Sequence, residues 1–123
     1  MLKLFSAKFF AIAILFLFIF SCAANRKSKT TGDVIAKITA IKKMGEKRSL
    51  KSVKYLIKEF KNSDSDAVRL EAAKSLGKIG DIRAIPVLER AVAEEKNQSI
   101  KDIAKEALIS INKINSKKQK KEK

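Results

Sequence analysis

Residues 68–88 read VRLEAAKSLGKIGDIRAIPVL, and this stretch decides the fold class. Its apolar residues recur at the spacing of one α-helix face: Val68, Ala72, Leu76 and Ile79. Gly80 follows, and glycine commonly ends helices, whereas Pro86 is tolerated only in the first turn of a helix. The stretch therefore predicts two helices joined by a short turn.

Helical spacing continues on both sides of this stretch, and residues 33–112 lack the alternation typical of strands. We predict five helices, over residues 34–44, 50–61, 66–79, 83–95 and 99–113. Gly45 is expected to end the first helix, and Ser65 or Asp66 to cap the third. The core is expected to be aliphatic apart from Phe60, with Ile41, Leu50, Val53, Leu56, Val68, Ala72, Leu76, Ile79, Leu88, Ile100, Ala104, Ala107 and Ile111 among its members.

The pattern of the predicted helices repeats when the chain is shifted along itself. At a shift of 35 residues Gly45 falls on Gly80 and Leu50 on Ile85, and at a shift of 32 residues Val68 falls on Ile100. A helix-pair repeat of this period indicates a solenoid, in which each pair stacks on the next. The fold class that we predict is a short all-α solenoid of about five helices.

The stretch resembles a HEAT repeat of the short, phycobilin-lyase-like type, whose pattern is V-R-x-x-A-A-x-x-L-G-x-I-G-D-x-R-A-I-P-x-L. The resemblance implies protein binding on the concave face, which the second helix of each pair lines. It also implies ion pairs between neighbouring repeats, which would join Glu46 to Arg69 and Asp81 to Lys101. Each exposed pair of this kind would add about 1 kcal/mol or less.

The N-terminal segment has the form of an export signal. Lys3 and Lys8 precede twelve uninterrupted apolar residues, 9–20, which would rise about 18 Å as a helix and so fall short of a bilayer of about 30 Å. Residues 19–22, Ile-Phe-Ser-Cys, resemble a bacterial lipobox, which implies cleavage before Cys22 and attachment of a diacylglycerol and an N-acyl chain to it. An ordinary secretory signal and an uncleaved membrane anchor are the alternatives.

These features predict four regions in the chain. We expect a lipoprotein signal peptide at residues 1–21, a lipidated Cys22 with a flexible basic tether at residues 22–32, a HEAT-like domain at residues 33–112, and a disordered Lys-rich tail at residues 113–123. The lipobox resemblance implies a location in the cell envelope. Ala23 after the cysteine favours the outer membrane in a double-membraned bacterium.

The second helix carries a basic stripe at helical spacing. Lys51, Lys54, Lys58 and Lys61 lie beside its apolar face, with Tyr55 at the border, and at a shift of 35 residues the stripe does not continue onto the fourth helix. It is either a binding surface for an acidic protein partner or a solvated face. Nucleic acid is a poor match, because the bases are nearly all lysine and almost no aromatic residue is available for stacking.

The composition argues against catalysis. The chain has no histidine and a single cysteine, so no metal site, cofactor site or nucleophile–base pair is expected. We therefore expect a membrane-anchored, non-catalytic interaction module. The alternative is a structural lipoprotein that binds polyanions through its net charge of +15, and a bilin-lyase-like enzyme is the least favoured reading. Because five helices make a short stack, its ends could also be covered by a second copy of the chain.

Overall fold

The structure is a computed structural model that describes residues 30–122. Within this range the chain forms five α-helices: α1 (Thr31–Glu46), α2 (Val53–Asn62), α3 (Asp66–Ile79), α4 (Ile85–Glu94) and α5 (Gln98–Lys121). Single 3₁₀ turns, Leu50–Ser52 and Ile82–Ala84, precede α2 and α4. The described part of the chain contains no strand, and the predicted all-α class is confirmed.

The odd-numbered helices α1, α3 and α5 form the first layer. The even-numbered helices α2 and α4 form the second, outer layer. α3 packs between α1 and α5, α2 packs on α3, and α4 packs on α5. Gly77 lies against Ala107 and Gly80 lies against Ile114, so α3 and α5 run in the same direction. This arrangement is the short α-solenoid that the sequence predicts.

The core is aliphatic, with Phe60 as its aromatic member. Most of the predicted core residues are buried, including Ile41, Val53, Leu56, Leu76, Leu88, Ile100 and Ile111. Leu50 is an exception, since 57% of it is exposed. The sequence predicts Leu50 to be buried in the second helix, but it begins the 3₁₀ turn that precedes α2 and lies outside that helix.

Helices of the first layer approach one another at positions without large side chains. A Cβ atom on Gly45 would lie 2.6 Å from Ser75 Oγ, and a Cβ atom on Gly77 would lie 2.9 Å from Ala107 Cα. Ser75 is fully buried and its hydroxyl donates to the carbonyl of Ile41, which satisfies its polar atom within the interface. The contact at Gly45 therefore joins α1 to α3, and the contact at Gly77 joins α3 to α5.

The structure gives both repeats a single period of 32 residues. The 3₁₀ turns start at Leu50 and Ile82, α2 and α4 start at Val53 and Ile85, and the close contacts lie at Gly45 and Gly77. The shift of 35 residues predicted for the first repeat is therefore wrong. It aligned Gly45 with Gly80, although Gly45 is the penultimate residue of α1 and serves close packing against Ser75 rather than termination.

Arg48, rather than Gly45, takes the position that ends the first helix. Its φ is 48°, in the left-handed region, and its equivalent 32 residues later is Gly80 with φ 76°. The amide of Arg48 donates to the carbonyl of Gly45 and that of Ser49 donates to the carbonyl of Met44, which is the hydrogen-bond pattern of a Schellman motif. Glycine is the usual residue at this position, so an arginine there hides the true end of α1 from a reading of the sequence.

The last helix continues well beyond residue 112, where the sequence predicts the domain to end and a disordered tail to follow. α5 extends to Lys121. Ile114 lies against Gly80, and the side-chain amide of Asn115 donates to the carbonyls of Gly80 and Ile111. These contacts attach the first of the additional turns to the end of α3, and the high lysine content of the segment hides them from a reading of the sequence.

Both ends of the stack carry charged residues where the interior helices are apolar. With the period of 32, Lys43 and Lys47 occupy the positions of the buried residues Ser75 and Ile79, and both lysines are exposed. On the outer face of α5, Lys105 stands where Ala73 is buried, and it lies 3.6 Å from Asp102. Charged residues at such positions are typical of capping helices, but Ile35 on α1 and Ile109 on α5 are 59% and 67% exposed, so coverage of the stack ends by a second copy stays a prediction.

Replacing Gly77 by alanine should destabilise the fold, although alanine is the better helix former. The new methyl group would be 2.9 Å from Ala107 Cα and 3.1 Å from its Cβ, so α3 and α5 would have to separate. We expect a loss of about 1–3 kcal/mol in the free energy of unfolding, measured by urea denaturation. The exposed Lys78→Ala is the control and should change it by less than about 0.5 kcal/mol. Equal stability of the two variants would contradict the close contact.

Replacing Arg48 by glycine should stabilise the protein. The left-handed conformation costs an arginine about 1–2 kcal/mol and costs glycine almost nothing, while glycine loses part of this gain through its greater freedom in the unfolded chain. We expect a net increase of about 1 kcal/mol, detected as a rise in the thermal midpoint. Arg48→Ala removes the same side chain but keeps the penalty, and should give no such rise.

Candidate functional site

The exposed face of the second layer is the candidate functional site. All four lysines of the predicted stripe are exposed on α2 and its preceding turn: Lys51, Lys54, Lys58 and Lys61. Tyr55 lies at the border of the stripe and 37% of it is exposed. The lysines form no ion pair with any acid of residues 30–122. The stripe is therefore a continuous basic surface, as the spacing predicts.

The single acid of α2 does not neutralise this surface. Glu59 is turned towards α1, where its carboxylate lies 3.1 Å from Lys37 Nζ and its side chain is 12% exposed. The hydrogen bond with Glu59 raises the pKa of Lys37, against the smaller effect of burial. This pair joins α1 to α2 and leaves the stripe without a counter-charge on its own helix.

The corrected period changes the comparison between the two outer helices. At a shift of 32 residues Lys51 corresponds to Arg83 and Lys58 corresponds to Arg90, and all four side chains are exposed. The basic stripe thus continues in part onto α4, which the shift of 35 residues concealed. Arg83 is tied into a local ion pair, whereas Arg90 has no ion-pair partner in the described part of the chain.

The two predicted ion pairs between repeats are not formed. Glu46 is the last residue of α1 and follows Gly45, which lies against Ser75, whereas Arg69 is six residues before Ser75 in α3, about 9 Å along its axis. Asp81 and Lys101 are separated in the same way, one at the end of α3 and the other in the first turn of α5. Both pairs would have to join opposite ends of neighbouring helices.

Arg69 instead connects three elements near the N-terminal end of α3. Its Nε donates to the carbonyl of Phe60 at 3.1 Å, and its guanidinium pairs with Glu95 after α4 and, at 3.5 Å, with Asp66. The side chain of Asn97 donates to Asp66 at 2.8 Å. Arg69 and Asp66 therefore link the first repeat to the loop that begins α5, which is a structural role.

Asp81 organises the turn between α3 and α4. Its carboxylate accepts hydrogen bonds from the backbone amide of Arg83 at 2.9 Å and from the Arg83 guanidinium at 2.6 Å. The guanidinium also donates to the carbonyl of Leu50 at 3.2 Å, which connects this turn to the equivalent turn before α2. The hydrogen bond from the Arg83 side chain holds the pKa of Asp81 below its ordinary value.

Other site expectations lie partly outside the described residues. Cys22, the predicted lipidation site, is among these, as are the leader and most of the tether. Residues 30–122 contain no helix that is long and apolar enough to cross a membrane. In the same range no group of acidic side chains is placed to hold a metal ion.

The comparison with protein families agrees with this geometry. The model of the HEAT-repeat family matches residues 29–109, which is more than half of the chain. The chain belongs to the HEAT-repeat family. No curated protein and no solved structure matches it. HEAT repeats are generally protein-interaction modules and usually serve as non-catalytic scaffolds.

The Asp81–Arg83 pair gives an expectation about pH. Because the pKa of Asp81 is lowered in the folded state, the pair stabilises the fold above about pH 4, the usual range of a free Asp, and this contribution is lost as the pH falls through the folded pKa. We expect Arg83→Ala to raise the Asp81 pKa towards that range in an NMR titration of its carboxyl group. Lys101→Ala should leave the Asp81 pKa unchanged. The opposite result would support the Asp81–Lys101 pair that the sequence suggests.

Proposed function

We propose that this protein is a lipid-anchored, non-catalytic adaptor of the bacterial cell envelope. Its HEAT-repeat domain supports an interaction role, since that family generally binds other proteins. The observation that carries the proposal is the basic face of α2, where four exposed lysines have no acidic partner among the described residues. Like charges in a row repel one another, and an acidic partner would relieve this repulsion.

The anchoring part of the proposal rests on Cys22. It lies two residues after the apolar run of residues 9–20, in a segment that resembles a lipobox. Two or three acyl chains on one residue give stable membrane attachment, whereas a single chain does not. The described helices include none that could span a bilayer, so membrane attachment would depend on the residues before them. We place the protein at the outer membrane if its host has two membranes.

Cys22 should be required for lipid incorporation and membrane attachment. Cells that produce the full-length protein should incorporate labelled palmitate into it, and Cys22→Ser should abolish the label and release the protein from the membrane fraction. Release of both forms without label would indicate an ordinary secretory signal. A wild-type protein that carries no label, keeps its leader and stays in the membrane would indicate an uncleaved anchor.

The adaptor role is tested by affinity capture from the solubilised native envelope at low salt and at 0.5 M salt. The variant carries Lys51→Glu, Lys54→Glu, Lys58→Glu and Lys61→Glu. The matched control carries four glutamates in place of exposed lysines elsewhere, namely Lys42, Lys74, Lys78 and Lys113. A protein that is retained by wild type and control at 0.5 M salt, and is lost from the variant, would support the proposal.

The second candidate is a structural lipoprotein that binds polyanions, and the high lysine content favours it. Binding of this kind is mainly electrostatic and should disappear at about 0.5 M salt, where the Debye length is only a few ångströms. Such binding should also be weakened equally in the variant and in its matched control, because the net charge of both proteins changes by the same amount. Capture that fits this pattern would replace the adaptor role.

A further inference from the structure

A groove of about 320 Å³ lies between the two helices of the outer layer. Phe60 contributes to its wall from α2, and Val87 and Ala91 contribute from α4. Phe60 is almost fully buried, whereas Val87 and Ala91 are half-buried. The groove therefore offers apolar surface that no other described element covers.

The charges at the bottom of the groove are satisfied within the protein. Arg69 donates to the carbonyl of Phe60 and pairs with Glu95. The other carboxylate oxygen of Glu95 accepts from the backbone amides of Lys96, at 3.0 Å, and Asn97, at 3.2 Å. Because these groups already have partners, the bottom of the groove is close to neutral for an incoming ligand.

The rim of the groove has an excess of positive charge. Lys61, Arg90 and Lys96 line it with exposed side chains, and none of them forms an ion pair within residues 30–122. Glu94 is the acid on this rim that is likewise outside the ion pairs of the described residues. Three cations therefore face one carboxylate around an apolar surface.

The rim also joins the basic stripe of α2. Lys58 lies on α2 between Lys54 and Lys61, and its equivalent at the period of 32 is Arg90 on the opposite wall. A ligand in the groove would therefore meet cations from both helices. Arginine can bind a carboxylate through two parallel hydrogen bonds, so Arg90 adds directional recognition to the point charges of the lysines.

We propose that this groove binds a short acidic segment of a partner protein, with one apolar side chain against Val87 and Ala91 and with carboxylates at Lys61 and Arg90. The inference rests on the proposed adaptor function and adds to it the place and the chemistry of binding. The apolar contact supplies affinity that salt does not screen, and the rim supplies selection for acidic segments.

The probe is a displayed library of random dodecapeptides, selected on the full-length protein in detergent micelles. Enriched peptides should combine at least two acids with an apolar side chain. Synthetic copies should bind the variant with Lys61→Glu and Arg90→Glu about tenfold more weakly or worse, as is usual when charges that contact a ligand are reversed. The matched variant, Lys74→Glu with Lys78→Glu on α3, has the same net charge and should bind within about twofold of wild type.

Ala91→Gln tests the apolar contact without changing the charge. It should weaken binding about threefold or more, because a polar side chain then occupies the apolar wall. Circular dichroism of each variant establishes that the helices are retained. The inference is overturned if no acidic peptide is enriched, or if the Lys61→Glu, Arg90→Glu variant binds like wild type.

Two further outcomes separate this inference from the proposed function. If an envelope protein is captured at 0.5 M salt and still binds the groove variant, the adaptor role stands and the groove is not its site. Vesicles of phosphatidylcholine with one-fifth phosphatidylglycerol test a lipid surface. If they bind wild type and not the groove variant, while no peptide is enriched, the basic rim is a membrane contact and the peptide proposal is wrong.

Discussion

The stack depends on the close approach of its first-layer helices. α1 meets α3 at Gly45 and Ser75, and α3 meets α5 at Gly77 and Ala107, where any larger side chain would force the backbones apart. Interiors are packed as densely as organic crystals, so a displacement here would be transmitted to the outer helices that rest on this layer. The period of 32 residues is the distance along the chain between these two contacts, and the equivalence of every other position follows from it.

The two end helices of the described stack differ from the interior helix α3. The positions that are buried in α3 are occupied by Lys43 on α1, by Lys47 directly after α1 and by Lys105 on α5, and all three lysines are exposed. The interior pair is tied together by Arg69 and Glu95 and by the turn that Asp81 and Arg83 organise. Charged residues at such positions are typical of the capping helices of solenoids.

The outer face is basic because several acidic side chains form ion pairs elsewhere in the fold. Glu59 pairs with Lys37, Glu95 pairs with Arg69, and Asp81 pairs with Arg83, so these carboxylates serve contacts between helices or within turns. The lysines of α2 and Arg90 of α4 keep no such partner in the part of the chain that the structure describes. The same ion pairs that position the helices therefore leave three cations without ion pairs, Lys61, Arg90 and Lys96, beside Glu94 at the rim of the groove.

Several features could be predicted from the sequence by itself. The spacing of Val68, Ala72 and Leu76 determined the helical class, the stretch from residue 68 to 88 indicated the repeat family, and the exposed positions of the α2 lysines follow from their helical spacing. These features are local, since each depends on residues within one or two turns of a helix.

Only the tertiary structure decided which glycines are equivalent, because Arg48 replaces glycine at the end of α1 and close packing, not termination, explains Gly45. It also decided the partners of Arg69 and Asp81 and placed Arg90 opposite Lys61, since these depend on which ends of neighbouring helices meet in the stack, and no local pattern in the chain records that.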